Sequence, residues 1–167
     1  MRRILSFAIL AVVAFAFTSQ DQSDVDQFRK DVANNKKAAK AGLSKFKYDG
    51  SKITYFNYRS SQQVKEVEVF LFNRTEYKFS FNADLVKSPI NVKIYNADIN
   101  NTNRKLLYEK SNIKESEFVI SNYTDLGDKT LRRVYVDYEI PGSDYGKKNK
   151  GKISSRGAIV LAMGYKG

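Results

Sequence analysis

The sequence predicts an all-β fold: an antiparallel β-sandwich of about eight strands, of jelly-roll or immunoglobulin-like type, preceded by one N-terminal amphipathic helix. Beyond Gly50, apolar side chains recur with a period of two, which is typical of strands with one buried face. Turn residues separate these runs, and no helical run lies between them to make a parallel crossover. Alternating apolar faces are buried when two sheets pack against each other.

The first segment has the composition of a secretory signal peptide. Arg2 and Arg3 precede Ile4–Phe17, a run of fourteen residues in which only Ser6 is polar. A basic, then apolar, then small-residue order is typical of such peptides. We expect a signal peptide over residues 1–19, cut between residues 16 and 20. An uncleaved anchor is the alternative, although a spanning helix needs roughly 20 apolar residues.

Export follows from the signal peptide. We expect the mature protein to be periplasmic or extracellular, soluble, and not an integral membrane protein. The chain has no Cys, so its core must hold it together without disulfides.

Residues 20–48 are predicted to carry the N-terminal helix, which we expect to run from Ser23 to about Ser44. Ser23 is a suitable N-cap, and lysines lie toward the far end, where they complement the helix dipole. One narrow apolar stripe recurs at three- and four-residue steps. It consists of Val25, Phe28, Val32, Ala39 and Phe46. The helix is expected to lie on the domain; pairing with another chain is the alternative.

Residues 49–167 are predicted to form the sandwich domain. The expected strands are Ile53–Tyr58, Lys65–Phe72, Glu76–Asn82, Ile90–Asn96, Arg104–Glu109, Glu117–Asn122, Leu131–Ile140 and Gly157–Tyr165. Two segments, Val69–Phe72 and Ala158–Met163, are apolar on both faces, so their outer faces need a cover. We expect Phe28 and Val32 of the helix to supply it.

The amino-acid composition excludes several classes of catalytic and metal-binding site. The chain has no His and no Cys, which excludes Ser-His-Asp and Cys-His nucleophilic sites, His or Cys zinc sites and iron-sulfur clusters. We predict no enzyme activity, no cofactor and no metal centre. The alternative is a carboxylate-based hydrolase of cell-surface polysaccharide, with acids paired on one strand face. The candidate pairs are Glu66 with Glu68 and Glu115 with Glu117.

One Asn-rich segment has the oxygen spacing that begins a calcium loop. Asn96, Asp98 and Asn100 alternate, but Asn101 stands where an EF-hand has Gly, and Leu107 where it has Glu. Asp125 and Asp128 are further oxygen donors. An irregular calcium site and an ordinary turn both stay open.

The charge is strongly basic, with 29 Lys and Arg against 18 Asp and Glu, a formal +11. The loop before the last predicted strand carries the candidate ligand-binding residues Lys147, Lys148, Lys150 and Lys152. Such a loop attracts phosphates, acidic glycans or anionic lipid head groups. A solvated loop that aids solubility is the alternative. Export argues against nucleic acid as the partner.

Together these observations predict an exported small β-sandwich protein with a non-catalytic binding or assembly role at the cell envelope. The expected partner is either an envelope protein, met through a sheet edge or the helix, or an anionic glycan or lipid surface, met through the lysine loop.

Overall fold

The computed structural model describes residues 2–148, 150 and 152–166, and among these the side chains from Gln22 onward except those of residues 146 and 153. The predicted signal peptide lies ahead of Gln22 and stays a prediction, as does its cleavage. Asn149 and Gly151 of the lysine loop lie outside the described residues. In the described part of the chain, no helix is long and apolar enough to cross a membrane.

The described chain consists of a long helix, eight strands, a short helix and a 3-10 turn. In order they are α1 (Arg2–Gly42), β1 (Lys47–Asn57), β2 (Gln63–Phe70), β3 (Tyr77–Asn82), β4 (Ile90–Tyr95), β5 (Leu106–Ile113), β6 (Glu117–Ser121), β7 (Arg133–Ile140), α2 (Asp144–Lys148), the 3-10 turn Ile153–Ser155 and β8 (Arg156–Tyr165).

The strands form two four-stranded antiparallel sheets. The helix-side sheet has the order β1-β8-β3-β6, and the open sheet has the order β2-β7-β4-β5. Apart from the β4–β5 hairpin, consecutive strands lie in different sheets, which is the arrangement of a double-sheet jelly roll. The predicted antiparallel β-sandwich is therefore confirmed, and of the two types predicted the strand order is that of the jelly roll.

The core lies between the sheets and follows the period-two pattern. On β7, alternate side chains are fully buried, and they face equally buried side chains of β3 and β8. These residues are Val134, Val136, Tyr138 and Ile140 on β7, Phe79 and Phe81 on β3, and Ile159 and Leu161 on β8. Each such burial contributes roughly 1.5 to 3 kcal/mol before entropy is counted.

Helix α1 lies against β8 and β3, so the prediction that the helix covers Ala158–Met163 is confirmed, but the residues that pack on this face are not the predicted Phe28 and Val32. The contact is made by Ala39 of α1 and by Leu43 of the turn that follows it, which pack on Val160 and Ala162. Val32 is buried, as predicted. Phe28 is only half-buried, and its ring centroid lies 6.4 Å from that of Tyr55.

The second half of that prediction is wrong. Phe70 and Phe72 keep 60% and 57% of their surface exposed, so nothing in the described chain covers the outer face of Val69–Phe72. The reason is topological, because β2 belongs to the open sheet and α1 packs on the helix-side sheet. One helix covers only one of the two outer faces.

The boundary between helix and sandwich also differs from the prediction. Helix α1 begins at Arg2, well before Ser23, and ends at Gly42. Ser44 has a positive φ of 55°, which is incompatible with continuing the helix. Strand β1 then begins at Lys47, inside the predicted helical segment, because Lys47–Ser51 pairs with the end of β8 although its sequence is polar.

Candidate functional site: a basic cleft

A cleft of about 670 Å³ opens between the connection from β1 to β2 and the connection from β7 to β8. It is lined by Asn57, Tyr58, Arg59, Ser60, Ser61, Lys147, Lys150, Lys152, Ser155 and Arg156. Five of these described lining residues are cationic and none is acidic. We call it the basic cleft.

The two walls of the basic cleft are the β1–β2 and β7–β8 connections, and they adjoin two paired strand ends. Asn57, the last residue of β1, lies opposite Arg156, the first residue of β8. Beyond that pair, the Tyr58 amide donates to the Ser155 carbonyl at 2.7 Å. The Ser143 amide donates to the Arg59 carbonyl at 3.0 Å. Backbone hydrogen bonds therefore fix the distance between the walls before any ligand arrives.

A glycine permits the closest approach of the two connections. A Cβ added to Gly142 would lie 2.2 Å from the carbonyl oxygen of Ser60. No side chain fits at that distance, so a residue other than glycine would push the connections apart. The Pro141-Gly142 segment thus helps to set the width of the cleft.

The side chain of Tyr58 forms the buried, uncharged floor of the basic cleft. Its hydroxyl donates to the Ser88 carbonyl at 3.2 Å and accepts from the Ser88 amide at 3.1 Å. Its ring meets those of Phe56 and Tyr145 edge to face, each at 5.2 Å between centroids. Burial raises the pKa of Tyr58 above its usual value, so the phenol stays neutral at physiological pH. The charge of the cleft comes from the rim alone.

The cationic side chains of the rim are not held in salt bridges. None of the five cationic side chains forms a salt bridge with a residue that the structure describes. In a concave site with like charges around it, the electrostatic potential adds and attracts anions. The arrangement is therefore suited to holding several negative groups at once.

The structure brings most of the predicted lysines to this site. Lys147, Lys150 and Lys152 line the basic cleft, whereas Lys148 is exposed at the end of α2 and does not line it. Whether any of the four binds a ligand stays a prediction. The sequence did not place Arg59 or Arg156 with these lysines, because the two arginines join the cleft only through the pairing of β1 with β8.

The carboxylates considered for hydrolysis lie outside the basic cleft, where they form ion pairs and hydrogen bonds with neighbouring side chains. On the open sheet, Glu66 faces Asp137 across β2 and β7. Arg104 donates to Asp137 at 3.0 Å and lies 3.6 Å from Glu66. Burial raises the pKa of both carboxyl groups, and the charge of Asp137 raises that of Glu66 further. Glu68 accepts hydrogen bonds at 3.0 Å from its neighbours on β7.

The two members of the second candidate pair, Glu115 and Glu117, contact different partners. Glu115 forms a 3.0 Å ion pair with Lys87, and Glu117 accepts a hydrogen bond from Asn82. Lys87 holds the pKa of Glu115 below its usual value. None of the four predicted carboxylates lines the basic cleft.

The oxygens considered for calcium serve as turn caps. Asp98 accepts from the Asn100 amide at 2.9 Å, and Asp128 accepts from the Thr130 amide at 2.7 Å. Asp125 accepts from the amide of Ser121 at 2.7 Å. Among the described side chains, no group of three or more acids is placed to hold a metal ion. The local hydrogen bonds favour the ordinary turn over the calcium loop.

The comparisons with known proteins bear on the fold. No family model and no curated protein matches this sequence. Among solved structures, the chain is similar to PirA, with 11% identity and a TM-score of 0.43 over 74% of this chain and 99% of that one. It is also similar to a CBM4 structure, with 15% identity and a TM-score of 0.37 over 77% and 83%.

A family 11 carbohydrate-binding module from Clostridium thermocellum, in complex with a β-1,3-1,4-mixed-linked tetrasaccharide, is a further neighbour. It has 10% identity and a TM-score of 0.33, over 71% of this chain and 85% of that one. The neighbours thus include β-sandwich carbohydrate-binding modules. At these identities the likeness concerns the fold alone and identifies no ligand.

Proposed function

We propose that the protein is a non-catalytic binding protein of the cell envelope whose basic cleft holds an acidic polysaccharide. The observation that carries the proposal is the set of five cationic side chains, none of them in a salt bridge, around one cleft with no acidic residue among its described lining. The predicted signal peptide supports the location, because it takes the chain to a compartment where acidic surface polymers occur.

The types of the cationic residues suit a polymer with repeated acidic groups. Arg59 and Arg156 sit beside strand ends on a fixed backbone, and a guanidinium makes paired hydrogen bonds to a carboxylate or a phosphate. The lysines are flexible point charges that adapt to further groups along a chain. Hydroxyl and amide groups of Ser60, Ser61 and Asn57 are available for sugar hydroxyls.

The shape favours a polysaccharide over a lipid bilayer. The cationic groups surround a concavity between two chain connections, rather than standing on a flat face. A bilayer presents a flat surface and reaches protruding side chains first, whereas a single polymer chain enters a cleft. Lys148 is exposed outside the cleft. It would contribute as much as the neighbouring lysines to binding a bilayer, and less than they do to binding a polysaccharide chain.

A charge-matched pair of variants tests the proposal. The cleft variant replaces Lys147, Lys150 and Lys152 by Gln. The control variant replaces Lys30, Lys36 and Lys37, which are exposed on α1, so that both lose the same charge. Affinity for polygalacturonate is measured by isothermal titration calorimetry at low and moderate salt, and vesicles containing phosphatidylglycerol form a separate arm.

The cleft variant is expected to lose roughly ten-fold in affinity for polygalacturonate, with the loss shrinking as salt screens the charges. The control variant is expected to stay within about two-fold. Equal losses in the two variants would mean attraction by net charge alone and would contradict a dedicated cleft. Tight binding to vesicles without binding to polygalacturonate would replace the polysaccharide by a membrane surface.

A further inference from the structure

A second cleft continues the basic cleft. Its volume is about 360 Å³, and it shares Asn57 and Arg156 with the basic cleft. The rest of its lining is mainly aromatic and aliphatic. These residues are Val25, Phe28 and Arg29 of α1, Tyr55 and Phe56 of β1, and Gly157 of β8. We call it the aromatic recess.

The aromatic recess is formed by packing and not by a loop. Tyr55 and Phe56 lie opposite Ala158 and Gly157 in the β1–β8 ladder. A Cβ on Gly157 would come within 2.5 Å of the Phe56 ring, so this glycine lets the ring rest against the strand backbone. Phe28 of α1 closes the side of the recess, with its ring centroid 6.4 Å from that of Tyr55.

The recess presents an aromatic face and little net charge. Tyr55 keeps 57% of its surface exposed, although large aromatic side chains are usually buried for the most part. Arg29 is paired with Asp26 at 3.1 Å, which leaves the shared Arg156 as the cation without a salt bridge among the described lining residues. The charge thus changes from strongly positive to nearly neutral at Asn57 and Arg156.

We propose that the basic cleft and the aromatic recess form one extended site for an oligosaccharide in which an acidic sugar is followed by a neutral one. The acidic group binds in the cleft, and the neutral ring packs on the exposed face of Tyr55 with its hydroxyls toward Asn57 and Arg156. The inference rests on the proposed function. It adds that an uncharged unit stands next to a charged unit in the ligand, because only then do both parts of the site find complementary chemistry.

Two probes separate the two parts of the site. Sodium tripolyphosphate carries charge alone, and a hyaluronan hexasaccharide alternates glucuronate with neutral N-acetylglucosamine. The test variant is Tyr55→Ala. The matched control is Phe72→Ala, because Phe72 is also 57% exposed and its ring meets that of Tyr165 edge to face at the far end of β8. Tyr55→Phe keeps the ring, and the thermal unfolding of each variant confirms that it is folded.

Tyr55→Ala is expected to weaken hyaluronan binding by at least about three-fold and to leave tripolyphosphate binding within about two-fold. Tyr55→Phe and Phe72→Ala are expected to match the wild type with both probes. If Tyr55→Ala leaves hyaluronan binding unchanged, the extended site is wrong while the basic cleft stands. If neither probe binds the wild-type protein, the proposed function itself fails.

Discussion

Truncation of Leu43 tests whether α1 is an integral part of the sandwich domain. Leu43 is 1% exposed and packs, with Ala39, on Val160 and Ala162 of β8. A buried Leu→Ala change costs about 2 to 5 kcal/mol, depending on how far the surroundings close the cavity. This cluster is small and borders the half-buried Phe46, which can move in. Leu43→Ala is therefore expected to lower the free energy of unfolding by about 2 to 3 kcal/mol.

Urea unfolding followed by circular dichroism measures that change, and hydrogen exchange reports on the helix itself. The control is Leu106→Ala, because Leu106 is 43% exposed on β5 and its truncation should cost no more than about 0.5 kcal/mol. Amides of α1 between Val32 and Gly42 should lose protection in Leu43→Ala. A loss of stability no larger than that of the control would refute the docking of α1 as a source of stability.

Three further predictions follow from local contacts. Glu66→Gln is expected to raise the free energy of unfolding by about 0.5 kcal/mol near pH 7 and to have no effect below about pH 4. The raised pKa of Glu66 means that the folded protein keeps this proton to higher pH than the unfolded chain does, so the contribution of Glu66 to stability falls as the pH rises, and denaturant titrations at the two pH values check this. Gly142→Ala should cost about 1 to 3 kcal/mol and weaken tripolyphosphate binding, since its Cβ would meet the Ser60 carbonyl at 2.2 Å; Gly50→Ala, whose Cβ would lie an ordinary 3.5 Å from Met163, is the control. N-terminal sequencing of the protein recovered from the envelope fraction should give a first residue between 17 and 20, and a cytoplasmic protein that begins at Met1 would contradict export.

The sandwich could be predicted because the period of a strand is a local property. Val134, Val136 and Tyr138 alternate in the sequence and are buried in the structure. Pairing is not local, since the neighbours of each strand depend on contacts between distant segments. The order β1-β8-β3-β6 therefore could not be read from the alternation, nor could the early start of β1 at Lys47, where a polar segment is held by the end of β8.

Only part of the lining of the basic cleft could be predicted, again because strand pairing is not a local property of the sequence. Three lysines of one loop are recognisable as a charge cluster, whereas Arg59 and Arg156 are isolated charges in the sequence and meet only through the β1–β8 ladder. The helix shows a second limit. Asn35 is buried and Phe28 is only half-buried, so polarity alone misjudged which side of α1 faces the sheet.

The most direct test of the central claim is the location of bound anion on the protein. Tripolyphosphate is titrated into isotopically labelled protein, and the shifts of assigned backbone amides are recorded. The largest shifts are expected in residues 57–61 and in the amides between residues 147 and 156, with small shifts on the exposed face of α1 despite Lys36 and Lys37. Shifts spread over all lysine-rich surfaces, or concentrated on α1, would contradict a binding cleft between the two connections.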